Sequence, residues 1–434
     1  MSSAEAPLPM FRPRPEDKAE LHRLFDEINR PGATARGGLH RLSASAEDGA
    51  ARQVLCDWLA ARGVDVRVDP VGNVFGVIEW RKGAPVVLCG SHLDSQPTGG
   101  RYDGAYGVVC AALAQQAVAH AVARAGITPA FNLAMVNWTN EEGARFVPSL
   151  LGSSVFIGAL DAEDALAVRD EAGISLGEAL SRIGFKGTRG LDLDVAGYAE
   201  VHVEQGRGLE SSGTRIGVVR GTWAALKLRV KLKGDQAHTG PTPMKDRRDA
   251  LLAAAHVIAE VRAIADDEPA GVMHSSVGRL HVYPNSANVV PSDVTAYVEF
   301  RSRQPEVLDR AERRFAASLN RFAAMTGTSF EIEDRSLRAP AGLDPALGDL
   351  AHEVAAGVGL ASADVDTVSG HDAISLSQVT PTVLLFVPSA GGIAHNEGEY
   401  TSPEDLEAGL DVMAGVIGRM CLAGAAREDE GAAA

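Results

Sequence analysis

Cysteine is scarce in this chain. Four thiols (Cys56, Cys89, Cys110 and Cys421) stand among 434 residues, with no Cys-x-x-Cys spacing. That excludes a dense disulfide framework and leaves reduced core thiols and a cytoplasmic setting as the expectation. Positive charge is short as well: 41 Lys and Arg face 57 Asp and Glu, a formal net charge of −16. Phosphate backbones need clustered cations, so nucleic acid is not expected as a partner. No run of about 18 apolar residues is visible, and Met1 to Pro15 holds Pro, Arg and Glu without an apolar stretch. Neither a membrane partner nor a signal segment is therefore expected. A Gly-x-Ser-x-Gly spacing occurs at Gly173-Ile-Ser-Leu-Gly177, but it follows the charged Arg169-Asp-Glu171 and not the apolar strand a nucleophile elbow needs, and Gly206-Arg-Gly208 runs on to Ser211 instead of a further glycine. A serine hydrolase of that type and a dinucleotide loop both lose their signatures. No internal repeat is visible, and the Ala-rich tail from about Ala425 is expected to fray.

A chain of this length calls for two or three domains. Pro85 to Cys89 is an apolar strand, a small-residue helix runs roughly from Gly104 to Ala125, and Phe131 to Trp138 is a second apolar strand. Pro381 to Val387 is a third, ahead of a helix that opens on Ser402-Pro403-Glu404-Asp405 with capping-box spacing. Fully apolar strands alternating with helices indicate an α/β fold, a mostly parallel sheet covered by helices. From Ile216 to Ile332 the pattern changes. Ala224 to Leu232 and Thr295 to Arg301 alternate with period two, separated and followed by helices at Asp249 to Ala265 and Pro305 to Met325. That reads as a smaller α+β sandwich interrupting the main domain. The expected divisions are 1–216 and 333–434 for the main domain and 217–332 for the insertion.

Chemistry-bearing residues gather where these strands end. His92 and Asp94 follow the first, Glu141 and Glu142 the second, His202 lies in Val201-His-Val-Glu-Gln205-Gly206, and His395 follows the last. Asp103 sits where the small-residue helix begins. Ligands collect at the carboxyl ends of strands in open α/β sheets, so these side chains can converge on one rim. Imidazoles mixed with carboxylates suit a hard-to-borderline metal centre, and a Glu-Glu pair lets one acid bind metal while the other handles protons. The chain reads as a metal-dependent hydrolase.

Longer motifs carry a resemblance. Gly90 to Gly104, Thr139 to Phe146, His202 to Gly206, Ala237 to Met244, Pro284 to Pro291, Ser369 to Ala373 and His395-Asn-Glu397 together resemble the amidase, hydantoinase/carbamoylase family of M20-type two-metal hydrolases. The resemblance covers about residues 20 to 420. It implies two divalent ions, zinc foremost with Mn, Co or Ni as alternatives. Asp103 would bridge them, His92 and His202 would complete one position, and Glu142 and His395 the other. Glu141 would be the general base, Asp94 would hold the far ring nitrogen of His92, and His238 would stabilise the developing oxyanion. Around His238 the chain has Gln236-Ala-His-Thr-Gly-Pro241 where the family's usual pattern is Asp-Ala-His-Ala-Gly-Thr. Gln205, Asn288, Arg301 and His371 would contact substrate, with Arg301 taking its carboxylate. The bridging Asp of the wider group precedes a cis peptide, which here would be Asp103–Gly104. The implied reaction cleaves the carbamoyl C–N bond of N-carbamoyl amino acids, with N-carbamoyl-β-alanine among the candidates (β-ureidopropionase activity), giving amino acid, CO2 and ammonia. Allantoate amidohydrolase and M20 aminoacylase or peptidase activities are the alternatives, followed by a non-catalytic binding protein on the same fold. The insertion would serve as a dimerisation and lid domain of a homodimer.

Overall fold

The computed structural model describes residues 11–191 and 193–423. The tail from Ala425 lies outside them. The chain divides into two compact units. The first comprises residues up to Arg220, then Leu343–Val365, and the chain from Gly370 onward; the second comprises Gly221–Gly342 with Asp366–Ser369.

An eight-stranded sheet forms the first unit, in the spatial order Asp65–Val68, Val74–Ile78, Asn132–Trp138, Val86–His92, Val195–Val203, Thr382–Val387, Ile216–Thr222 and Ser362–Thr367. Its four central strands pair in parallel, and antiparallel strands flank them at Val74–Ile78 and Ile216–Thr222. Two of the central strands, Asn132–Trp138 and Val86–His92, are buried at every position, as their unbroken apolar runs require when both faces are covered. Parallel pairing also fixes where the strands end. His92 lies level with Trp138, and His202 with Phe386, so the carboxyl ends share one rim.

The helices Ala105–Ala125 and Pro403–Ala423 pack together over one sheet face. Gly409 on the second leaves room for the Tyr106 side chain of the first, and Gly126 closes the first helix in the left-handed conformation (φ 62°) that glycine adopts freely. Contrary to the reading of the bare sequence, this helix is long and apolar enough to cross a membrane. Its Gln115, Gln116 and His120 break up any visible apolar run, and it is almost wholly buried against the sheet and its neighbours. Ser402 caps the second helix as its sequence implies, its Oγ accepting the Asp405 amide at 3.1 Å.

The second unit holds a four-stranded antiparallel sheet in the order Ser329–Arg338, Ala224–Lys233, Asp293–Ser302 and Met273–Tyr283. Helices Ala250–Asp266 and Pro305–Thr326 cover one face, where Leu226, Val230, Phe300 and Phe315 make a separate core. The alternation in Asp293–Ser302 is strict, every second residue being buried. A short ribbon pairs His238 with Val289.

Candidate metal centre

Asp103 is the hub. Its side chain is delivered by the turn ahead of the helix Ala105–Ala125, where Gly104 reverses the chain at φ 63°. A Cβ on Gly104 would run into the ring of His92, so this position needs glycine for space as well as for conformation. The cis peptide bonds among the described residues are Val147–Pro148 and Tyr283–Pro284; the expected Asp103–Gly104 bond is not one of them, and the positive φ of Gly104 makes the turn instead.

The two oxygens of Asp103 face different partners. Oδ1 lies 3.5 Å from His92 Nε2 and 3.1 Å from His202 Nε2. Oδ2 lies 3.3 Å from His395 Nε2, which is itself 3.5 Å from Glu142 Oε2. The donor atoms of His92, Asp103 and His202 all lie within 4.8 Å of one another, and so do those of Asp103, Glu142 and His395. Asp103 belongs to both triplets.

Hydrogen bonds fix the rings. Nδ1 of His92 contacts the Asp94 carbonyl at 2.9 Å, and Nδ1 of His202 the Val203 carbonyl at 2.8 Å. A carbonyl oxygen only accepts, so each Nδ1 carries a hydrogen, and Nε2 is the atom turned toward Asp103. This differs from the expected part for Asp94, whose carboxylate stays 3.8 Å from the ring. Its two oxygens instead accept the amides of Glu141 (3.2 Å) and Glu142 (3.3 Å), so the side chain of Asp94 positions the acidic pair. Glu141 reaches to 3.6 Å from His92 Nε2.

Burial and crowding of like charge set the electrostatics. Burial pushes Glu141 well above the usual carboxylate range, even with His92 beside it. Burial and the charge of Asp103 raise Glu142 to about 7. Asp103 goes the other way: burial opposes its ionisation, but contacts from His202, His395 and His92 hold it well below the usual range. The contact with Asp103 in turn raises His395 to about 9. Carboxylates crowded into so small a volume need compensating positive charge, and mixed imidazole and carboxylate donors in two triplets sharing one Asp fit two divalent cations. His92, His202 and Asp103 would hold one, and Asp103, Glu142 and His395 the other.

Two further expected residues join the first unit's site. Gln205, at φ 60°, donates Nε2 to Asp103 Oδ2 at 2.8 Å. His371 is buried and packs edge-on against His202, with ring centroids 4.6 Å apart, which makes it a buttress for that ring. The other three lie on the second unit. His238 is exposed, and its Nδ1 accepts the Gly240 amide at 3.0 Å. Asn288 is exposed beside it, its carbonyl accepting the Thr239 amide. Arg301 is partly buried, donating Nη1 to the Val368 carbonyl at 2.7 Å, with Nη2 2.9 Å from the Glu299 carboxylate.

Some site residues escaped the sequence reading. Gln96 grips Glu142, its Nε2 donating at 2.8 Å and its amide at 3.2 Å. Glu200, behind His202, accepts Ser91 Oγ and the Ala373 amide, both at 2.8 Å. Glu399 accepts the amides of Tyr102 and Asp103. Only the run His395-Asn-Glu-Gly-Glu399, with acids at alternate positions after a ligand-type His, hinted at the last.

Residues 88–419 match the family described as Peptidase family M20/M25/M40. The chain is 35% identical over 412 residues to an N-carbamoyl-L-amino-acid amidohydrolase of Rhizobium meliloti, covering 93% of this chain and 97% of the relative. It is 33% identical over 390 residues to an allantoate amidohydrolase of Bacillus subtilis, with 89% and 93% covered. In structure it is similar to an amidase of the hydantoinase/carbamoylase family from Burkholderia vietnamiensis, at a TM-score of 0.88 and 36% identity, with 95% and 98% covered.

Proposed function

The chain belongs to Peptidase family M20/M25/M40, as an amidohydrolase of its carbamoylase branch, and we propose that its substrates are N-carbamoyl amino acids. It is a metal-dependent hydrolase acting on non-peptide amide bonds. The observation that carries the hydrolytic reading is the division of Asp103 between the His92–His202 pair and the Glu142–His395 pair, with Glu141 held beside them, and similarity to the Rhizobium meliloti amidohydrolase supports N-carbamoyl amino acids as the substrates. In the proposed reaction, water adds to the ureido carbonyl and the C–N bond to the amino acid breaks, releasing the amino acid and carbamate, whose remaining C–N bond then breaks to give CO2 and ammonia. Divalent ions bound by the two triplets would supply Lewis acidity, polarising that carbonyl and lowering the pKa of water. Glu141 takes the proton of the attacking water and returns it to the leaving nitrogen. Asp94 holds Glu141 and Glu142 at their backbones, and Gln96 and Gln205 steady the carboxylates of Glu142 and Asp103.

On the second unit, Arg301 offers a planar fork suited to the substrate's carboxylate, and His238 and Asn288 are assigned oxyanion and amide contacts. Among the described residues the edge strand Met273–Tyr283 has no partner strand on its outer side, and it exposes Leu280 and Tyr283, which supports pairing of two copies as a homodimer. Four free cysteines accord with a reducing cytoplasmic compartment.

Ammonia release from N-carbamoyl-L-amino acids, N-carbamoyl-β-alanine and allantoate, assayed side by side after loading with Zn, Mn, Co or Ni, tests the reading. A kcat/KM highest on an N-carbamoyl amino acid is the expected result. Turnover of allantoate alone would move the chain to the second activity, for which the Bacillus subtilis relative, almost as similar, is the support.

A further inference from the structure

The shared Asp103 is held from behind. Its backbone amide and that of Tyr102 both donate to one oxygen of Glu399, at 2.9 and 2.8 Å. Glu399 is buried, and its second oxygen has no hydrogen-bond partner among the described residues. The carboxylate lies so close to Gly100 that any side chain there would displace it. Two residues earlier in the same loop, Glu397 accepts Thr34 Oγ1 at 2.5 Å and pairs with Arg36 at 2.8 Å. Four residues before Glu399 stands His395, at φ 51°, facing Asp103 and Glu142. One short loop thus carries a metal-ligand candidate, a tether to the 34–38 segment and a clamp on the main chain of the shared ligand.

We propose that Glu399 is a positioning residue for the metal centre: it fixes the backbone of Asp103 relative to the loop that presents His395, and so sets the shape of the position those two share with Glu142. The part needs an acceptor oxygen of the right reach. Its charge is not what the two amides require, since a neutral amide oxygen also accepts two hydrogen bonds. The inference rests on Asp103 being the shared ligand, so the test separates the two ideas.

Glu399→Gln keeps the acceptor, and Glu399→Met keeps length and volume without it. Zn2+ and Mn2+ are titrated calorimetrically into metal-stripped wild type, both variants and Asp103→Ala, and the melting temperature of each stripped protein is recorded. Glu399→Gln is expected to bind within about twofold of wild type, while Glu399→Met weakens binding about 10- to 100-fold, the range for loss of an outer partner of a ligand. Glu399→Met binding as tightly as wild type overturns the positioning role, and so does Glu399→Gln binding as weakly as Glu399→Met. Should Glu399→Met fail to fold, the Gln variant still decides, because an affinity loss there sinks the proposal. Wild type that takes up no ion, or Asp103→Ala that binds like wild type, overturns the metal-centre assignment itself.

Discussion

At the scale of single residues, Asp103 and Glu141 are separable by experiment. Asp103 faces both triplets, so Asp103→Ala should lose activity and most bound metal. Glu141 lies in neither triplet, so Glu141→Gln should keep its metal while kcat falls at least about a hundredfold, the low end for general-base catalysis. Metal analysis by mass spectrometry beside a turnover assay checks both, and equal depletion of the two variants would reverse the roles. For Arg301, a fork that takes the substrate's acid group should cost about 2–4 kcal/mol in kcat/KM when cut to Ala, with little recovery in Lys. A Lys variant close to wild type in a steady-state assay would place the acid group elsewhere. The sequence exposes these residues because His and Glu at strand ends are conspicuous by type. Asp94, Gln96, Glu200 and Glu399 are different. Their parts depend on which backbone amide each carboxylate or side-chain amide meets, and partners 46 to 297 positions away leave no trace in local pattern.

Among the elements, the sequence was most legible where a strand is buried on both faces or alternates strictly. Val86–His92, Asn132–Trp138 and Asp293–Ser302 all lie close to their expected spans. The outermost strands of the large sheet went unread, since Asp65–Val68 and Ser362–Thr367 are short and only partly buried and so lack a strong apolar signature. The turn from strand to helix at Gly104 is the element most sensitive to change. A side chain there would occupy a positive φ, costing about 1–2 kcal/mol, and would overlap the His92 ring as well. Gly104→Ala should therefore lower the melting temperature of the metal-stripped protein and weaken metal uptake together. A full-strength melt with normal metal affinity would show that the turn yields easily.

For the whole molecule, the division into two units was readable from the switch between apolar and alternating strands. Its far boundary was not. The second unit extends to Gly342 and regains Asp366–Ser369, beyond the limit at 332 set from the sequence. Ser329–Arg338 is an edge strand exposed along almost its whole length, with charges where a buried face would show alternation. The opposite edge, Met273–Tyr283, is the one proposed for pairing, and Leu280→Lys there should shift the mass measured by light scattering from dimer toward monomer. An unchanged mass would point to another surface or to a monomeric wild type.

The two candidate metal positions are unequally sheltered. His92 and His202 are 2% and 1% exposed, whereas His395 is 51% exposed at the side chain. Seen as a matter of exchange kinetics, one ion would sit behind a wall and the other at a door. Chelator added to the loaded enzyme should therefore draw out metal in two phases, the fast one matching a single equivalent per chain and leaving a half-loaded species long enough to isolate. His395→Ala should remove the fast phase and spare the slow one. A single phase for both equivalents would mean that the two positions empty as one.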